Sequence, residues 1–345
     1  MAASIIKLFI IFFLLLINSN AEENNIKQFS GDEGVLSIMY HRFNENKYPS
    51  TNIQMNVFFE HIKLIKELNY EFIHPDNFKK NFNIPKKKKK ILLTIDDAFL
   101  SFYDNVWPYL KENKIPFILF VSTEPVGNKG YMNWEQIKEI DKEDFALIGH
   151  HSHSHEYLIE ESNQNFINDI KKANLIFKKN IGYVPKLLSY PFGEYSEFMR
   201  NYISNNFSFA FGQHSGVIDI NKDKFELPRF PINEKYGEIN RFKSIINTYP
   251  LEYKSLTPIN KKLNSQDNPP VFSVEFFDAQ TNIQNITCYS NDGGTWEKSN
   301  TKFINKTLTI KFKEAFLPRR GRINCSLNDD GKWRWFGAQF IINKN

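Results

Sequence analysis

Ile91-Leu-Leu-Thr-Ile-Asp-Asp97 decides how this chain is read. A run of branched apolar side chains ahead of two carboxylates describes a buried strand that ends in paired acids. Further along, Phe145-Ala-Leu-Ile-Gly149 reads as a second strand, and it runs directly into His150 and His151-Ser-His-Ser-His155. Strand ends that carry carboxylates and imidazoles are where an α/β scaffold assembles a metal-dependent hydrolytic site. Oxygen and nitrogen donors with one position left open suit Zn²⁺ or a similar borderline ion.

The same alternation extends outward from this pair. Val35-Leu-Ser-Ile-Met-Tyr-His41 is an apolar strand ending in a tyrosine and a histidine. Phe58, Ile62, Ile65 and Leu68 recur at helical spacing, and 103–113 and 134–140 read as further helices. Residues 117–121 form a strand, 160–180 the longest helix, and 187–190 and 207–211 two more short strands. Strands alternating with helices predict a parallel sheet, most simply a barrel or distorted barrel. The pattern fades after Pro231, and Asn268-Pro-Pro270 ends a linker. Beyond it, short β-type runs at 271–277, 306–312 and 336–342, with turns at Asp292-Gly-Gly294 and Asp330-Gly331, predict a small all-β module. The expected organisation is a segment 1–21, an α/β domain over 22–260 and a β module over 261–345.

Composition narrows the functional classes. The apolar run near Ile5–Ile17, with Lys7 at its start and Ser19-Asn-Ala21 after it, has the form of a secretory signal cut after Ala21. It is short for a membrane span, so no stable span is expected after cleavage, and the protein is expected in the periplasm or outside the cell. Removing 1–21 lowers the formal charge from +5 to +4. So small an excess suits an anionic envelope or matrix and does not indicate nucleic acid. The dense basic tract Lys86–Lys90 directly precedes the apolar strand and reads as a solvated gatekeeper. Cys288 and Cys325 are the two cysteines, and in an exported chain they are expected to form one disulfide. Oligomeric state is not legible.

Four of the eight histidines fall within 150–155. His151 and His155, four apart, can aim at one ion, with Asp97 supplying a third ligand from a neighbouring strand end. Spacing alone equally allows His151 with His153, or His153 with His155. A solvated histidine-rich loop is the plain alternative.

Three segments resemble one family. Thr94-Ile-Asp-Asp-Ala98 resembles the Thr-Phe-Asp-Asp-Gly motif of polysaccharide deacetylases, the carbohydrate esterase family 4 or NodB-homology group. His151-Ser-His-Ser-His155 matches its His-(Ser/Thr)-x-x-His motif, and Ser189-Tyr-Pro-Phe-Gly193 resembles its Arg-x-Pro-Tyr-Gly motif. Order and spacing agree over roughly residues 34–235. The resemblance implies a distorted (β/α) barrel with fewer than eight strands and one divalent ion, Zn²⁺ before Co²⁺ or Ni²⁺, on Asp97, His151 and His155. It implies Asp96 as catalytic base and the Phe192 backbone N–H as an oxyanion donor, with Tyr190, Pro191, Phe192 and Gly193 along the groove. The substrate implied is an acetylated polysaccharide, and the exported branch containing poly-N-acetylglucosamine deacetylases is the most similar.

The chain departs from the pattern in places. Ala98 replaces Gly, and Ser189 stands where many members carry an Arg that orients the base. No late Leu-x-His motif supplies a general acid, which leaves His214 as the expected donor. Arg229 is a candidate for steadying the acid–base network, and Tyr40 and His41 for the groove floor. In the C-terminal module, Trp296 and Gly331-Lys-Trp-Arg-Trp-Phe336 could stack on sugar faces or fill a small β core. The reading is a metal-dependent de-N-acetylase. The competing readings are hydrolysis of a small cyclic amide on the same fold and a catalytically silent carbohydrate-binding protein.

Overall fold

The computed structural model describes residues 34–74, 89–219, 221–278, 280 and 282–343. The expected signal segment and Lys86–Lys88 lie outside the described residues. Among those described, no helix is long and apolar enough to cross a membrane.

An eight-stranded parallel sheet organises the larger part of the chain. Across it run Phe230–Pro231, Val35–Tyr40, Lys90–Asp96, Phe117–Val121, Ala146–His150, Leu187–Ser189 and Phe209–Phe211, in that spatial order. Glu71–Phe72 adds to Lys90 and Ile91. The central strands are buried on both faces, as their unbroken apolar runs require. Helices Met55–Glu67, Trp134–Asp141, Asn163–Ile181 and Ile239–Ile246 bury one face each; Phe58, Ile62 and Ile65 of the first are core residues. The chain between the strands Phe209–Phe211 and Phe230–Pro231 is tied to the sheet by single bridges, Leu227 to Phe211 and Ile218 to Val35. The result is the distorted, incomplete barrel expected, with every strand's carboxyl end on one rim.

Two elements differ from expectation. Residues 103–113 do not form one helix but two, Leu100–Asn105 and Trp107–Asn113, which meet at Val106. Pro108 has no N–H to continue the first ladder and is well placed in the first turn of the second. The long helix starts at Asn163 rather than Glu160, because the Ser162 hydroxyl accepts the Asn165 N–H at 3.1 Å and sets the boundary.

The C-terminal part is a sandwich of two sheets. One orders Tyr249–Pro250, Lys332–Ile342, Arg320–Asp329, Thr287–Ser290 and Glu297–Lys298; the other orders Ser255–Thr257, Phe272–Glu275, Thr307–Lys311 and Asn300–Ile304. Strand pairing therefore draws Tyr249–Pro250 and Ser255–Thr257, ahead of residue 261, into the β module. Cys288 and Cys325 face each other in the ladder and are joined by a disulfide. The module is laid against the barrel. Gly337 is required there, since a Cβ would stand 2.2 Å from the Ser215 carbonyl oxygen. Gln339 Nε2 donates to the Gly193 carbonyl at 3.2 Å, and Trp335 packs edge-on against Phe230.

Candidate metal centre and cleft

Asp97 leaves its strand in the left-handed region, with φ 75°, and Ala98, Ser152, His155 and Phe192 share that conformation at φ 53–71°. Non-glycine residues held this way cost on the order of 1–3 kcal/mol each and persist only where their surroundings fix them. Here the Ser152 N–H donates to His150 Nδ1 at 3.0 Å, and the His155 N–H donates to Ser152 Oγ at 3.1 Å. Asp169, which sequence reasoning passed over, accepts the His153 and Ser154 N–H groups at 2.8 and 3.0 Å. Its only sequence signal is a carboxylate on the inner side of the long helix.

These turns bring three ligand atoms together. His151 Nε2 lies 3.3 Å and His155 Nε2 3.0 Å from Asp97 Oδ1, and the donor atoms of all three residues fall within 4.8 Å of one another. His151 Nδ1 donates to the Ser189 carbonyl at 2.7 Å, which leaves Nε2 as the lone-pair nitrogen facing the cluster. Asp97 Oδ1 and His151 Nε2 are buried without a hydrogen-bond partner. Buried, unpaired, convergent O and N atoms are what a divalent cation satisfies, so the donor set fits the expected ion.

The other two histidines are placed elsewhere. His150 is buried between Phe177 and Phe207, where burial pushes its pKa down to about 3. His153 Nδ1 pairs with Thr123 Oγ1 at 2.8 Å, and its Nε2 lies toward Glu124 at 3.5 Å. Of the pairs that spacing allows, His151 and His155 are the two whose ring nitrogens converge with Asp97.

Asp96 is fully buried beside this cluster. Arg229 donates to both of its oxygens, Nη1 to Oδ1 at 2.7 Å and Nη2 to Oδ2 at 2.8 Å. Burial alone would raise the Asp96 pKa, but the Arg229 charge, His151 and the Arg229 hydrogen bonds hold it below the usual carboxylate range. Ser189 Oγ accepts from Arg229 Nη2 at 2.7 Å, and Thr94 Oγ1 and the Gly212 carbonyl take further guanidinium N–H groups. Ser189, standing where the family's motif carries arginine, thus accepts from an arginine that arrives just ahead of the Phe230–Pro231 strand.

A cleft of about 600 Å³ opens over the cluster, lined by His41, Asp97, His155, Phe192 and His214. The Phe192 ring stands 4.7 Å from His155 and stacks at 4.2 Å on Tyr157. In the Pro191–Gly193 turn, the N–H groups of Gly193 and Glu194 close onto Tyr190 and Pro191, while the Phe192 N–H is not used by the turn.

Three expectations need correction. Tyr40 is not on the groove floor, because the strand's two-residue period turns it inward; its hydroxyl donates to His61 Nδ1 at 3.0 Å. Tyr190 is buried against Tyr195 instead of lining the groove, and Pro191 is buried with it. Burial pushes the His214 pKa down to about 3, which leaves it without the proton a general acid must carry. His41 does line the cleft, with Nδ1 buried and unpartnered. Sequence reasoning missed that the β module supplies the opposite wall, through Trp296, Arg320, Arg322, Asn324 and Trp335.

With the geometry in place, comparison with known proteins agrees. Residues 83–206 match the polysaccharide deacetylase family, a span that holds Asp96, Asp97, His151, His155 and Phe192. Over that span the chain is similar to the family, and the match supports a hydrolase acting on carbon–nitrogen bonds other than peptide bonds. It is 22% identical over 248 residues to the poly-β-1,6-N-acetyl-D-glucosamine N-deacetylase of Staphylococcus aureus, covering 63% of this chain and 85% of that protein. In fold it is similar to the Streptococcus pyogenes deacetylase PplD in complex with acetate, with a TM-score of 0.56 and 19% identity over 62% of this chain and 99% of that one. IcaB from Ammonifex degensii is similar to the same degree, with a TM-score of 0.56 and 23% identity over 63% and 97%.

Proposed function

We propose that this chain is an exported, divalent-metal-dependent enzyme that removes acetyl groups from an N-acetylhexosamine polymer. The observation that carries this reading is the ionised Asp96, locked by Arg229, standing beside the convergent atoms of Asp97, His151 and His155. The Staphylococcus aureus relative, named for poly-β-1,6-N-acetyl-D-glucosamine, supports the substrate class. The disulfide supports an oxidising compartment, as does the apolar run near Ile5–Ile17.

A divalent ion, Zn²⁺ by its preference for this donor set, would polarise the acetyl carbonyl and lower the pKa of bound water. Asp97, His151 and His155 would hold it. Asp96 takes the proton of the attacking water on a carboxylate oxygen, and Arg229 keeps that carboxylate oriented and ionised between turnovers. The Phe192 N–H donates to the oxygen that becomes negative in the tetrahedral intermediate. His41 takes the role of proton donor for the departing amine; burial lowers its proton affinity on balance, and the nearby charges of Asp97 and Asp96 oppose that lowering, as no carboxylate does at His214. The test is acetate release from N-acetylglucosamine oligomers by full-length protein loaded with metal. Absence of acetate from every acetylated glycan at saturating metal would remove this reading in favour of a silent carbohydrate-binding protein.

A further inference from the structure

The wall of the cleft opposite the metal cluster belongs to the β module, outside the span matched by the family. Its Arg320–Asp329 strand alternates strictly. Gly321, Ile323, Cys325 and Leu327 are buried in the sandwich, while Arg320, Arg322 and Asn324 face the cleft. Arg241, from the helix Ile239–Ile246, and Lys235 join them from the barrel side. Against these four cations the cleft lining offers one carboxylate, Asp97, which the metal cluster already uses.

These charges are also incompletely paired. Arg320 Nε donates to Glu194, but that carboxylate is shared with Arg319. Arg322 Nε is held by Gln339 Oε1 at 3.1 Å, and Arg241 by the Tyr236 carbonyl. Among the described residues neither Arg322 nor Arg241 has a carboxylate within ion-pair distance, and burial disfavours the charge on both. Partly desolvated guanidinium groups that line a cleft and face neutral partners instead of carboxylates are suited to receive a carboxylate or phosphate. The Arg320 guanidinium lies 5.6 Å from the Phe192 ring, and that ring lies 4.7 Å from His155. The anion would therefore sit on a sugar next to the one being deacetylated, not on the reacting acetamide.

We propose that Arg320, Arg322 and Arg241 form an anion subsite that selects N-acetylhexosamine polymers bearing an acidic group on the neighbouring sugar. This rests on the deacetylase reading above and specifies its substrate. The same charges repel a glucosaminium neighbour, so deacetylation is spaced along the polymer instead of running in blocks.

The test measures kcat/KM for acetate release by the metal-loaded full chain on matched N-acetylglucosamine oligomers. The sugar adjacent to the reacting one is left unmodified, oxidised to a C6 carboxylate, phosphorylated at C6, or de-N-acetylated. The acid-bearing oligomers are expected to exceed the unmodified one about tenfold or more, with the advantage shrinking at high salt, and the glucosaminium oligomer to be the poorest. The carboxylate and phosphate arms separate the two sources of the anion. Arg322→Gln and, on a different element, Arg241→Gln are each expected to move the acid-to-neutral ratio toward one. Equal kcat/KM on neutral and acidic oligomers overturns the subsite while leaving the deacetylase intact, as does an unchanged ratio in both variants. No acetate from any oligomer removes the deacetylase reading and the subsite together.

Discussion

Arg229 grips Asp96 with both arms of its guanidinium, at 2.7 and 2.8 Å, and neither side chain is exposed to solvent. The two residues lie 133 positions apart in the chain. One comes from the strand that opens the metal cluster and the other precedes the short strand that pairs with Val35–Tyr40. Removing the arginine would leave a buried carboxylate without its counter-charge. Arg229→Met is expected to cost about 3–5 kcal/mol of stability, read by urea unfolding. Arg229→Lys, which keeps the charge but loses the fork, should cost less than that while still slowing turnover. Equal stability of the methionine variant and the parent would show that the pair is not what keeps Asp96 ionised.

Asp96 has no place among the three convergent residues, so the proposed base can be removed without removing the site. Asp96→Asn is expected to bind metal at the parent's stoichiometry and lose about 10²–10⁴-fold in turnover. Metal analysis and acetate release on one preparation decide it, and full retained activity would assign the proton transfer elsewhere.

The choice between the cleft's two histidines is equally open to measurement. His41→Asn should slow acetate release about 10²-fold or more with metal content unchanged. His214→Asn should slow it by far less, because burial, Lys261 and Arg229 all lower the His214 pKa, to about 3, whereas Asp97 and Asp96 oppose the lowering at His41. The reverse ranking would restore His214 as the acid.

His61, away from the cleft, accepts the Tyr40 hydroxyl at Nδ1, donates to the Gly237 carbonyl at 2.7 Å and stacks on Phe242. Burial pushes its pKa down to about 4, from 6.5. The folded protein thus binds fewer protons than the unfolded chain between these values, and stability is full above pH 6.5 and falls as pH drops toward about 4. The slope per such histidine is about 1.4 kcal/mol per pH unit. Denaturant unfolding across that window should show the slope shrink by about one proton in His61→Gln; an unchanged slope would mean His61 titrates normally in the fold.

The disulfide closes a separation of 37 residues between neighbouring strands. In the chain-entropy model such a loop contributes about 4 kcal/mol. Cys288→Ala with Cys325→Ala should lower the unfolding free energy by an amount of that order, and because the module walls the cleft, it should raise KM before it lowers kcat. A variant as stable as the parent would make the bond dispensable.

What could be read from the chain was local. The buried run before Asp96, the spacing of His151 and His155, and the alternation of strands and helices are properties of short windows, and each survives in the fold. Arg229 was recognisable as a partner for the acid–base network because a charged residue set among Leu227, Pro228 and Phe230 is costly unless paired. Tyr40 was misplaced because neighbouring strand residues face opposite sides, and which side meets the cleft is fixed by pairing partners and not by the strand itself. The break at Val106 carried a signal in Pro108 that helical periodicity overrode. Least legible was the arginine wall. The alternation in Arg320-Gly-Arg-Ile-Asn-Cys325 marks one polar face, but what that face meets depends on how the sandwich docks on residues 193–216, which no local pattern encodes.

The most direct test of the central claim is acetate release from N-acetylglucosamine oligomers by full-length protein, stripped with chelator and then reloaded with Zn²⁺. Parent protein is expected to lose activity on stripping and regain it on reloading, whereas His155→Ala should stay inactive and fail to retain the ion. Activity that survives complete removal of metal, or a His155→Ala variant that turns over like the parent, would contradict the account.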